Sequence, residues 1–216
     1  MPLTKDILLK SIEELRKNSP KRNFTQSIEL IIKLKDIDLK KPEARITDTV
    51  ELPHPPKKQI KVCVIADGEL AIKAKNSGAD LVIGKNDLNS LASNRKEAKK
   101  LLNNYDFFIA EAPLMPLIGK TIGPILGPRG KMPTPVPPNA PIDEVIKRYR
   151  RTIRIRTKDQ PQIQCIIATE DTSDEEIAEN IQAVISKVES KLERGFKNIA
   201  GIALKTTMGP PIEVKI

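Results

Sequence analysis

The sequence predicts a mixed α/β and α+β protein: a discontinuous two-layer α+β domain, a sheet with two helices on one face, interrupted by an inserted three-layer Rossmann-like α/β domain. Three observations carry this. The chain ends, 1–55 and 152–216, each combine strands of period two with one amphipathic helix. The middle, 56–151, alternates continuous apolar strands with helices, the pattern of a parallel sheet covered on both faces. Between the two patterns stands Leu52-Pro53-His54-Pro55-Pro56, whose prolines suit neither helix nor sheet ladder.

In chain order, Leu8, Ile12 and Leu15, widened by Ile7 and Leu9, form the apolar stripe of a helix over 4–16, which Lys17-Asn18-Ser19-Pro20 ends. Ile28, Leu30, Ile32 and Leu34 alternate with Ser27, Glu29, Ile31 and Lys33, a strand with one buried face. A charged turn over 36–42 leads to a strand marked by Ile46, Val50 and Leu52. In the middle, the apolar run 60–66, a short helix up to Asn76 and the strand 81–84 make a βαβ unit. A helix over 94–102, a buried strand over 105–110 and a helix over 143–150 complete that domain. Between the last two lies Gly119 to Pro141, so rich in Gly and Pro that it predicts a stiff, shaped surface loop. Period two returns with Ile153 and Ile155, then Ile163, Cys165 and Ile167. Ser173 and Glu176 form a capping box for a helix whose stripe is Ile177, Ile181, Val184, Ile185, Val188 and Leu192. A strand over 201–207 and a last one, Ile212-Val214-Ile216, close the chain.

Basic residues outnumber acidic ones, 37 to 28, and the net charge of +9 favours nucleic acid or another anionic surface as partner. No run of about 18 apolar residues and no signal-peptide core occurs, which predicts a soluble cytoplasmic protein with no membrane contact. Cys63 and Cys165 lack any metal-ligand spacing and read as buried apolar residues; neither metal nor cofactor is expected. His54 has no nucleophile or ligand partner beside it and reads as a boundary residue. The alternative, a nucleotide-dependent enzyme that uses the inserted domain and its Gly/Pro lobe, lacks a Gly-x-x-x-x-Gly-Lys-Ser/Thr and a Gly-x-Gly-x-x-Gly after its first strand.

Two surfaces compete for an anionic partner. In the strand 201–207, Lys205 and Thr207 stand on the polar face and run into Met208-Gly209-Pro210-Pro211, where glycine admits close backbone approach. The plainer reading of this stretch is a hairpin into the last strand. Charge points elsewhere: residues 57–151 hold 17 basic against 9 acidic residues, and Arg129, Lys131, Lys147, Arg148, Arg150 and Arg151 form the best cluster. Two Tyr and four Phe are too few for a base-stacking platform, so recognition of a folded RNA's shape and sugar edge fits better.

Leu204-Lys205-Thr206-Thr207-Met208-Gly209-Pro210, with Leu126-Gly127-Pro128-Arg129-Gly130-Lys131-Met132-Pro133 and Leu52-Pro53-His54, resembles the ribosomal protein L-one family in its archaeal form. The resemblance covers essentially the whole chain. It implies a monomer when free that joins the ribosome's mobile lateral stalk, binds large-subunit ribosomal RNA and helps deacylated tRNA leave the exit site. It also implies a translational repressor that binds its own messenger. By the same resemblance the discontinuous domain binds rRNA through Phe24, Ser27, Lys205, Thr207, Met208 and Gly209, while Arg129 and Lys131 make secondary RNA or tRNA contacts. His54, Pro55, Pro56, Arg151 and Thr152 are the expected hinge. Ser27 stands where the family often has threonine, and Pro55-Pro56 where bacterial relatives have glycine, so the crossing at Arg151-Thr152 is expected to take most of any rotation.

Overall fold

The computed structural model describes residues 4–38, 45–57, 59–157 and 159–215. Part of the charged turn read over 36–42, and Ile216 of the last strand, lie outside them. The chain divides into two compact units, Met1–Lys58 with Arg151–Ile216, and Gln59–Arg150.

The first unit is built on an antiparallel sheet of order β10-β9-β1-β8, with β1 at Ser27–Leu34, β8 at Gln162–Thr169, β9 at Ile199–Thr206 and β10 at Ile212–Val214. β9 and β10 pair antiparallel, so the stretch around Met208 is indeed a hairpin turn. Period two places Ile28, Leu30 and Ile32 in the core and leaves Glu29, Ile31 and Lys33 on the outer face. A bulge opposite Ile28, where Ile28 pairs with Ala168 and Glu29 with Ile166, lets both Ile167 and Ala168 join the core. Helices α1 (Lys5–Asn18) and α8 (Asp174–Glu189) supply the apolar stripes, Leu8, Ile12, Leu15 and Ile177, Ile181, Val184, Ile185, Val188. The Ser173–Glu176 box forms as expected, with Ser173 Oγ accepting from Glu176 N and Glu176 Oε2 from Ser173 N. The strands β2 (Thr47–Glu51) and β7 (Thr152–Arg156) form their own antiparallel ribbon, which adds Val50, Ile153 and Ile155 to the same core.

The second unit is a parallel sheet of order β4-β3-β5-β6: β3 Val62–Ile65, β4 Leu81–Ile83, β5 Phe107–Glu111 and β6 Thr134–Val136. Cys63, Ile65, Phe108 and Ala110 face one apolar layer; Val62, Val64, Phe107 and Ile109 face the other. Helices α2 (Gly68–Asn76) and α7 (Ile142–Tyr149) cover the second layer. The first is covered by α3 (Lys85–Ser93), α4 (Arg95–Asn103), α5 (Met115–Thr121) and α6 (Gly123–Leu126).

The expected loop over 119–141 is corrected here. Its first part is helical, with Pro116 and Pro124 in the first turns of α5 and α6, where a missing N–H costs nothing. Ile118, Ile122 and Leu126, four apart, pack into the core. Its later part supplies the edge strand β6 around Pro135. Helix α3 is absent from the sequence reading because polar Asn and Ser conceal Leu88, its deeply buried anchor among the described residues. Among the described residues no helix is long and apolar enough to cross a membrane.

Candidate nucleic-acid interface

Three connections leave the same end of the antiparallel sheet: 19–26 before β1, 170–173 after β8, and 207–211 after β9. Buried polar side chains bind them into one frame. Gln26 is 1% exposed; its Nε2 donates to Pro20 O at 2.8 Å, and its Oε1 accepts from Met208 N at 3.1 Å. Its carbonyl accepts from Glu170 N at 2.9 Å. Ser19 Oγ donates to Leu15 O at 2.6 Å and lies 3.0 Å from Thr206 Oγ1. With its single proton thus committed, Ser19 must accept from Thr206, whose oxygen in turn accepts from Gly209 N at 3.1 Å. Arg16 fixes the 170–173 loop, donating to Asp174 Oδ1 at 2.6 Å, Glu170 O at 2.8 Å and Thr172 O at 2.6 Å. Nothing in the local sequence pattern distinguishes Gln26 from a solvated residue before a strand, and it was missed for that reason.

On this frame the expected contact residues are displayed unequally. Phe24 and Met208 are 50% and 53% exposed, large apolar side chains that the chain leaves in water. Ser27 and Thr207 are held together: Ser27 N donates to Thr207 Oγ1 at 3.1 Å, and Thr207 N to Ser27 O at 3.1 Å. Lys205 is half-buried and its Nζ donates to Thr207 O at 3.2 Å. Gly209 is different from expectation. It is buried, and a Cβ there would meet Thr206 Oγ1 at 2.3 Å and Ser19 Oγ at 3.3 Å. The glycine is therefore demanded by the chain's own packing, and it faces inward. Lys21 and Arg22, not singled out from sequence, flank Phe24, are exposed, and have no ion pair among the described residues.

Of the six basic residues read as a cluster on the middle of the chain, Lys131 and Arg150 are committed to their own chain, while Lys147, Arg148 and Arg151 are exposed. Lys131 is half-buried and its Nζ donates to Tyr105 O. Arg150 donates to Gly78 O at 2.5 Å and lies 3.8 Å from Asp80, which ties the end of α7 to the strand entry before β4. Arg129 is half-buried in the turn after α6. Of the expected hinge residues, two are built into the first unit. His54 N donates to Asn180 Oδ1 at 3.0 Å, Asn180 Nδ2 donates to His54 O at 2.6 Å, and His54 Nε2 lies 2.8 Å from Glu179. Thr152 is buried and pairs with Glu51, next to the 2.8 Å bond from Leu52 N to Arg151 O. Pro55 is exposed and Pro56 buried. Both cysteines are free and buried, and burial pushes each thiol up to about 12, helped by Asp80 at Cys63 and by Glu29 at Cys165. Among the described residues no group of three or more His, Cys, Asp or Glu could hold a metal ion.

A sheet-end frame that holds apolar and cationic side chains outward, on a discontinuous unit carrying an α/β insertion, defines a protein of two units with no catalytic constellation among the described site residues. The chain belongs to the Ribosomal protein L1p/L10e family, whose model matches residues 15–210. It is 52% identical over 206 residues to the large ribosomal subunit protein uL1 of Hyperthermus butylicus, covering 95% of this chain and 94% of that one. It is 48% identical over 207 residues to the protein of the same name from Methanothermobacter thermautotrophicus, covering 96% and 98%. For the Pyrococcus abyssi protein the figure is 45% over 216 residues, covering 100% and 98%. This is a family of ribosomal proteins, and the reading of the chain as a nucleotide-dependent enzyme falls with it.

Proposed function

We propose that the chain is a structural component of the large ribosomal subunit that binds its ribosomal RNA through the frame at the sheet end of the first unit. The observation that carries this is Phe24 and Met208 half in water on loops whose bases are fixed by Gln26 and by the Ser27–Thr207 bonds. Preorganised apolar side chains can cover ribose and base edges without an ordering cost at binding. Lys205, Lys21 and Arg22 supply phosphate contacts, and the remaining lone pair of the Thr207 hydroxyl suits a ribose 2′-OH. Gly209 acts from below, by keeping Met208 in place. The same surface would take a similar RNA fold in the protein's own messenger, which makes repression a competition between two RNAs. In the lateral stalk, rotation between the units at the remaining hinge residues Pro55, Pro56 and Arg151 would accompany release of deacylated tRNA, with the protein at work in the cytoplasm on the ribosome.

Titration of a large-subunit rRNA stalk fragment tests the contact surface. Met208→Ala and Phe24→Ala should each weaken binding by about 1–3 kcal/mol, with stability within about 0.5 kcal/mol of the parent. Neither should alter the salt dependence, whereas Lys205→Ala should lower the log–log salt slope by roughly 0.7–0.9. Unchanged affinity in both apolar variants would refute the assignment. Thr207→Val is the poorer probe, because its hydroxyl also holds Ser27.

A further inference from the structure

The surplus positive charge of the second unit, 14 basic against 9 acidic residues over 59–150, has to face something, and Lys131 and Arg150 are already bound to their own chain. Helix α4 holds Arg95, Lys96, Lys99 and Lys100 against the single acid Glu97. Its Ala98 and Leu102 are buried, while all four basic residues are exposed and form no ion pair among the described residues. Positions 95, 96, 99 and 100 fall on one face of a helix, with about 6 Å of rise between residues four apart.

This arrangement is unfavourable for the isolated protein. Arg95 and Lys99, and Lys96 and Lys100, are like-charged pairs four apart. Arg95 and Lys96 also occupy the first two positions of the helix, after the cap Asn94, where the helix dipole repels cations. Helices normally place acids there, as α8 of this chain does with Asp174, Glu175 and Glu176. Glu97 in the first turn and Lys100 in the last offset only part of this, and local rules broken this way are expected where a ligand supplies the rest of the compensation. No large apolar side chain of α4 is exposed, so a protein partner would find charge without an anchor, whereas a phosphate backbone needs only charge.

We propose that the exposed face of α4 is a second, sequence-independent RNA-binding surface, which contacts phosphates and is separate from the frame around Gln26. The test uses the full chain and an oligouridylate, which lacks the fold that the frame would recognise. Replacing Arg95, Lys96, Lys99 and Lys100 together by Gln keeps helix propensity, removes both repulsive pairs, and should leave thermal stability equal or higher. Oligouridylate binding should lose roughly 2–3 from its log–log salt slope, at about 0.7 per phosphate. Lys99→Gln with Lys100→Gln should lose about half of that. The fourfold variant should keep the rRNA-fragment affinity of the parent at moderate salt, where the frame around Gln26 carries it, so failure at one surface is distinguishable from failure at the other. An unchanged oligouridylate slope in the fourfold variant would overturn the proposal, and so would polyglutamate competing as well as RNA at equal charge.

Discussion

At the residue scale, the same chemistry is decided by what surrounds each group. Gly209 looks from its sequence context like a point of approach for another molecule, yet 2.3 Å from a would-be Cβ to Thr206 Oγ1 makes it a packing residue. The exposed Met208 beside it is legible, since an apolar residue after the polar face of a strand has no core to enter. Burial at Cys63 and Cys165 leads to a prediction with a definite sign. Both thiols stay protonated in the folded chain up to about 12, whereas the ordinary value is 9.0. Their contribution to stability is therefore complete below about pH 9 and is lost as pH rises from about 9 to 12. Each thiol should steepen the decline by about 1.4 kcal/mol per pH unit in that window. Denaturant melts at several pH values should show a flatter decline for Cys63→Ala and Cys165→Ala than for the parent. Equal slopes would mean that the thiols ionise without unfolding.

At the element scale, amphipathic stripes and strand alternation were legible because burial enforces them: Leu8, Ile12 and Leu15 in α1, and Ile28, Leu30 and Ile32 in β1. What stayed hidden depends on contacts between elements. The prolines of 116–135 argue against regular structure only when they fall inside an element, and here they sit at helix starts and on an edge strand. Asn180 belongs to the same class, a polar residue on the inner face of α8 that looks misplaced by periodicity. It is fully buried and satisfies His54 N, His54 O and Ile167 O. Asn180→Ala leaves these groups without partners and should cost about 2–3 kcal/mol, as well as speeding amide exchange at His54. A loss below about 0.5 kcal/mol would show that water replaces the side chain.

At the scale of the whole molecule, the division of the chain is visible in the change of strand pattern, because a sheet with one open face and a sheet covered on both faces need different sequences. Charge alone does not decide between the two units as RNA surface, since a count cannot tell Lys131, bound to a carbonyl, from Lys96, facing water. The insertion leaves and re-enters the first unit through the paired strands β2 and β7, Glu51 opposite Thr152, and the first unit has its own core. A chain lacking 59–150, closed by a flexible Gly-Ser linker, should therefore fold. Its affinity for the rRNA stalk fragment is the most direct measurement of where the principal RNA surface lies. Retention to within about tenfold of the full chain at moderate salt is the expected result, with the shortfall growing at low salt, where α4 would contribute. Loss of binding in a folded variant, with the affinity instead found in the isolated 59–150 segment, would contradict the assignment.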